Sequence, residues 1–112
     1  MDTKEAVLAL GALAQETRLS IFRMLVRAGP AGIAAGRLSE DLKVPANTLS
    51  FHLKELANAG MVASRQDGRF VYYSANYDQM NGLLGYLTEN CCQGESCAAG
   101  RLAQPLLKRK RA

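Results

Sequence analysis

The stretch LSEDLKVPANTLSFHLKELANAGMV, Leu38 to Val62, decides how the chain is read. Leu38 and Leu42 lie four residues apart, on one face of a short helix expected over Leu38 to Lys43. Val44-Pro45 then makes a turn, because proline cannot supply the amide hydrogen that a helix interior needs. A longer helix is expected over Ala46 to Ala59, with Leu49, Leu53 and Leu56 on one face and Gly60 as its stop. Two helices joined by so tight a turn have the form of a helix-turn-helix, whose second member can enter the major groove of DNA.

Downstream, Met61 to Arg65 and Phe70 to Ser74 read as strands joined around Asp67-Gly68, a strong hairpin signal. Asn76 or Asp78 can cap a last helix that runs to about Asn90. Upstream, Asp2 to Ala14 reads as a helix in which Val7, Leu10 and Leu13 recur every three residues, with Leu8 beside them. Glu16 to Ala28 reads as another, with Leu19, Ile21, Phe22, Leu25 and Val26 on a wide apolar face and Gly29-Pro30 at its end. The expected fold is mainly α with a β-hairpin wing: four helices, two strands and a fifth helix, a winged helix-turn-helix. Many α+β domains share this order, so periodicity alone does not fix the function. There is no internal repeat. Residues 1–92 are expected to form one domain, and residues 93–112 a flexible C-terminal tail, since Gly94, Gly100 and Pro105 oppose a long regular element.

Length and composition fit a single modest core in 112 residues. No apolar run approaches the roughly 18 to 20 residues of a membrane span, and LALGAL, Leu8 to Leu13, lacks the basic flank of a signal peptide, so a cytoplasmic location is expected. The net charge of +4 is carried by the tail: without Lys108, Arg109, Lys110 and Arg111, ten basic residues face ten acidic ones. A DNA-binding surface must therefore come from local arrangement.

Opposite the leucine face of the Ala46–Ala59 helix, Asn47, Phe51, Lys54 and Asn58 point outward, with Thr48, Ser50 and Glu55 beside them. Asn47, Thr48 and Ser50 can hydrogen-bond to base edges or phosphates, and Lys54 suits phosphate. Phe51 either meets a thymine methyl or packs against the wing or another helix. His52, at the edge of the apolar face, is within reach of the same groove but also reads as a packed, hydrogen-bonded residue. Arg65, Gln66 and Arg69 bracket the hairpin tip, where arginine can reach phosphate or a narrow minor groove. The basic tail reads as solvated.

On these residues the chain resembles the ArsR/SmtB family of metal-responsive repressors. The resemblance runs from about Ala12 to Cys92 and is carried by ALAQETRLSIFRML (Ala12 to Leu25), by the Leu38–Val62 stretch and by SRQDGRFVYYS (Ser64 to Ser74). It implies a homodimer that pairs through its first and last helices on pseudo-palindromic double-stranded operator DNA. It also implies an inducer that weakens that grip. Met80, Leu83, Leu84, Leu87 and Cys91 follow one face of the last helix and, with Val7, Leu10 and Leu13, form the natural seam; the same stripe also serves an intrachain core. Many arsenic-sensing members carry cysteines in the first helix of the DNA-binding pair, but this chain has AAGRLSEDL there, with Ala34, Gly36 and Ser39 where thiols would stand. Zinc-sensing members use acidic and histidine ligands on the last helix; here only Asp78 and Glu89 are available, without a histidine.

The chain has instead NCCQGESC, Asn90 to Cys97. Three cysteines within seven residues make a poor disulfide framework and are expected to be thiols in a reducing cytosol. The segment resembles a variant arsenic-repressor subclass with thiols at the end of the last helix. The chemistry agrees: soft thiolates select soft acceptors, and As(III) or Sb(III) takes three sulfurs in a pyramid. Cys91, Cys92 and Cys97 can fold round one atom if Gln93-Gly94-Glu95-Ser96 turns, and closure would bend or unwind the helix end. Cadmium or zinc would need a fourth ligand, Glu95 or a residue of a second subunit. Oxidation of Cys91-Cys92 would make a redox sensor. A small arsenic-binding carrier without a DNA role is the reading from another class. An enzyme is not expected, since the single histidine stands apart from the cysteines and no phosphate loop or oxyanion hole accompanies them.

Overall fold

The computed structural model describes residues 1–94. Helix α1 (Thr3–Leu13) packs beside α2 (Glu16–Ala28); a short strand β1 (Ile33–Ala34) leads into α3 (Ala35–Leu42) and α4 (Ala46–Asn58). Strands β2 (Val62–Asp67) and β3 (Phe70–Ala75) form the hairpin, and α5 (Tyr77–Thr88) returns against α1. This is the expected winged helix-turn-helix. No helix among the described residues is long and apolar enough to cross a membrane.

Local chemistry explains most of the boundaries. Asp2 opens α1 with a capping box: its carboxylate accepts from the Glu5 amide at 2.8 Å, and the Glu5 side chain accepts from the Asp2 amide at 3.0 Å. Gln15 caps α2 through the Arg18 amide, and Asn76 caps α5 through the Gln79 amide. Asn76 also donates to the Gly60 carbonyl at 3.0 Å, which ties the end of α4 to the start of α5. The turn between α3 and α4 is a Schellman closure: the Val44 amide donates to Ser39 O and the Lys43 amide to Glu40 O, with Lys43 left-handed at φ 57°.

Leu38, Leu49, Leu53 and Leu56 meet Ile21, Phe22, Leu25, Met61 and Val62 in one core, closed by Ala75 and Leu83. Helix α1 contributes only Ala6, Ala9 and Ala12, so its backbone lies close to the body. No polar residue is buried among the described residues, so the core imposes no desolvation cost that a partner must offset.

Three features differ from the sequence expectation. The sheet has three strands in the order β1-β3-β2, because Ile33 and Ala34 pair with Tyr73 and Tyr72. Two residues carry no alternation to read; the pairing depends on Gly32, at φ +80°, where a Cβ would stand 2.4 Å from the Tyr73 carbonyl oxygen. Helix α3 begins at Ala35, ahead of the apolar pair that marks it in sequence. Helix α5 ends at Thr88, so Cys91 does not continue its apolar face; Cys91 and Cys92 sit instead in a separate short turn, Cys91–Gly94. The Thr88 hydroxyl donates back to Leu84 O at 2.8 Å, and Asn90 takes a left-handed φ of 56°, a conformation asparagine tolerates. Of the expected tail, only residues 93 and 94 are described; Cys97 and the basic run lie outside the described residues.

Candidate nucleic-acid interface and thiol turn

Helix α4 stands with its leucines in the core and Asn47, Thr48, Ser50, Phe51 and Lys54 exposed. Phe51 is 55% exposed despite its large apolar ring. Its ring meets that of the neighbouring His52 edge-on, at 5.6 Å between centroids. Glu55 and Asn58 do not share this surface, for they line a cleft with Val7, Leu8, Gly11 and Ala12 of α1. His52 is half-buried, and its Nδ1 stands 3.3 Å from Arg18 Nη1. Since a guanidinium only donates, Nδ1 is the acceptor in this contact. Arg18 also donates through Nε to the Ala12 carbonyl at 2.7 Å. Arg18 thus joins the end of α1 to α4, a role sequence reading missed; in sequence it is one more polar residue of the first turn, Glu16-Thr17-Arg18, and gives no signal of its own.

At the hairpin, Asp67 faces Phe70 across a two-residue loop of Gly68 and Arg69, with Gly68 at φ +64°. Arg69 is exposed at this tip, and Gln66 reaches the Gly68 carbonyl at 3.4 Å. Arg65 lies further down β2 and turns back onto the chain, donating to the Ala31 carbonyl at 2.8 Å. Phe70, 59% exposed and edge-on to Tyr72, is a wing residue that sequence reading left unassigned.

The α1–α5 side has a different character. Val7, Leu8, Leu10, Leu84 and Leu87 are exposed, at 42 to 62%, while Leu83 is buried and Leu13 and Met80 are half-buried. The hydroxyls of Thr3 and Tyr86 hydrogen-bond across the two helices. Just past α5 the chain coils through a left-handed turn, with Cys92 at φ 55° and Gln93 at φ 60°. The Cys91 and Cys92 sulfurs are 3.8 Å apart, and Cys92 is exposed.

Comparison with known proteins places this architecture. Residues 13–65 match a helix-turn-helix domain family. The arsenical resistance operon repressor of Bacillus subtilis (strain 168) is 34% identical over 92 residues, spanning 77% of this chain and 84% of that protein. The chain belongs to the ArsR family of helix-turn-helix transcriptional regulators. Two solved structures share its fold. HlyU from Vibrio cholerae N16961 is 30% identical, with a TM-score of 0.65 over 82% of this chain and 99% of that one. An ArsR-like transcriptional regulator from Rhodococcus sp. RHA1 is 27% identical, with a TM-score of 0.70 over 94% and 93%. For an ArsR-family regulator the exposed polar face of α4 and the hairpin tip are the candidate DNA-facing surfaces.

Proposed function

We propose that this ArsR-family regulator is a homodimeric repressor that leaves its operator when Cys91, Cys92 and Cys97 take up As(III) or Sb(III). The observation that carries the reading is the Cys91–Cys92 pair, 3.8 Å between sulfurs, set in a turn directly after α5. Two thiolates that share one soft ion at ~2.3 Å each lie about 3.8 Å apart at tetrahedral angles and roughly 3.3 to 3.5 Å apart in the narrower pyramid of As(III). The pair therefore needs little rearrangement to hold one atom, and Cys97 supplies the third sulfur. The likeness to an arsenical resistance operon repressor supports the same inducer class.

The dimer follows from the apolar side. Val7, Leu8, Leu10, Leu84 and Leu87 form a patch that a second copy covers. On the other side, Asn47, Thr48, Ser50, Phe51 and Lys54 enter the major groove, Gln66 and Arg69 reach the flanking backbone or minor groove, and His52 holds the helix from behind. A contiguous set of contacts joins the two sides. The thiol turn follows α5, Tyr86 bonds Thr3 of α1, Ala12 at the far end of α1 accepts from Arg18, and Arg18 meets His52 of α4. Gathering the sulfurs pulls on the end of α5 and shifts α1 against α4. Half-sites recur every 34 to 36 Å or so, so a small change in dimer geometry misaligns the two reading helices.

The test is release from operator DNA during titration with arsenite, antimonite, cadmium, zinc and peroxide. Arsenite and antimonite are expected to weaken binding on the order of five- to 150-fold. Replacing any one of the three cysteines by serine is expected to keep DNA binding and abolish release. Release by arsenite from the serine variants would place the sensor elsewhere, and release by peroxide alone would assign the thiols to oxidation.

A further inference from the structure

We propose that Arg65 is a positioning residue that braces the wing against the helical body, while Arg69 alone carries the wing's charge to DNA. The inference deepens the DNA-binding reading above and rests on it. Arg65 stands directly across from Tyr72 in the β2–β3 register, and its guanidinium carbon lies 4.5 Å from the Tyr72 ring centroid. Its Nη2 donates to the Ala31 carbonyl at 2.8 Å, and its Nη1 is 3.8 Å from the Asp67 carboxylate at the end of its own strand. One planar group thus ties β2 to the middle of β3 and to the loop between α2 and β1.

That loop is itself pressed onto the sheet. Gly32, next to Ala31, approaches the Tyr73 carbonyl so closely that no Cβ would fit. The strand pair Ile33–Tyr73 continues the contact. Arg65 closes the open side of this junction, so the angle of the hairpin relative to α2 and α3 depends on it. The ion pair with Asp67 is exposed and contributes little by itself. The fork-shaped donor and the stacking on Tyr72 supply the rigidity, and lysine reproduces neither. These three contacts hold the Arg65 guanidinium against the junction rather than reaching past the hairpin. Arg69 occupies the exposed tip, and no hydrogen bond or ion pair among the described residues engages its side chain.

The two roles separate experimentally. The probe is a DNA duplex enriched from a random pool by the wild-type protein, with affinity followed from low to moderate salt. Arg65→Lys and Arg65→Met are both expected to bind on the order of tenfold more weakly, with the salt slope of the wild type. Arg69→Met is expected to lower that slope by about one per protomer. In the DNA-free protein, both Arg65 variants are expected to speed amide exchange in β2, β3 and residues 29–34. Binding by Arg65→Lys equal to wild type, with slope lost only in Arg65→Met, would make Arg65 a phosphate contact and overturn the proposal. Unchanged exchange in the free variants would overturn it as well. Failure of the wild type to enrich any duplex would defeat the DNA-binding reading, and the exchange experiment would still judge the brace.

Discussion

Helices α1 and α4 have nearly the same length and opposite finishes. Helix α4 buries Leu49, Leu53 and Leu56 and shows Asn47, Thr48, Ser50 and Lys54 outward around a single exposed aromatic ring, Phe51. Helix α1 buries only Ala6, Ala9 and Ala12 and turns Val7, Leu8 and Leu10 to solvent. The first is complete within one protomer, and its exposed face is built to hydrogen-bond. The second spends its small side chains inward, where they allow close approach, and leaves its large ones uncovered. An apolar face left open in this way, beside the exposed Leu84 and Leu87 of α5, is the surface that the proposed dimer would cover. The contrast separates the surface proposed to read DNA from the one proposed to pair, on one small domain.

The largest effect expected from this contrast is on assembly. Leu10→Lys combined with Leu84→Lys removes four leucines from a symmetric seam, each worth about 1.5 to 3 kcal/mol when buried. Sedimentation velocity is expected to show a folded monomer at concentrations where the wild type is a dimer. A dimer that persists would move the seam to another face. A smaller effect is expected on α4. Leu56, fully buried, is expected to cost about 2 to 5 kcal/mol of stability on replacement by alanine, read by denaturant unfolding. The loss should persist in the monomeric double variant, since the pocket around Leu56 lies within one chain. A loss confined to the dimer would break the distinction between the two helices.

Much of this fold was legible in sequence. The leucine spacing of α4, the proline turn before it and Asp67-Gly68 each report a local rule that the tertiary structure obeys. Strand β1 was not legible, because two residues hold no periodicity and the pairing depends on a backbone approach at Gly32. The end of α5 was misjudged because the apolar spacing runs on to Cys91, while the Thr88 back-bond and the left-handed Asn90 stop the helix first. Within the site, helical spacing predicted which side chains α4 exposes, Phe51 among them. It did not predict that Arg65 folds back onto Ala31 and Tyr72, or that Arg18 links Ala12 to His52, since both depend on contacts between segments distant in sequence.

The direct test of thiol-driven release is the affinity for arsenite measured twice, on the free dimer and on the dimer saturated with operator duplex. Binding linkage is reciprocal, so arsenite must bind the DNA complex more weakly by the same factor, on the order of five- to 150-fold, by which it weakens the grip on DNA. Equal arsenite affinity in the two states would show that capture of the metalloid and hold on DNA are unconnected, and the account would fail.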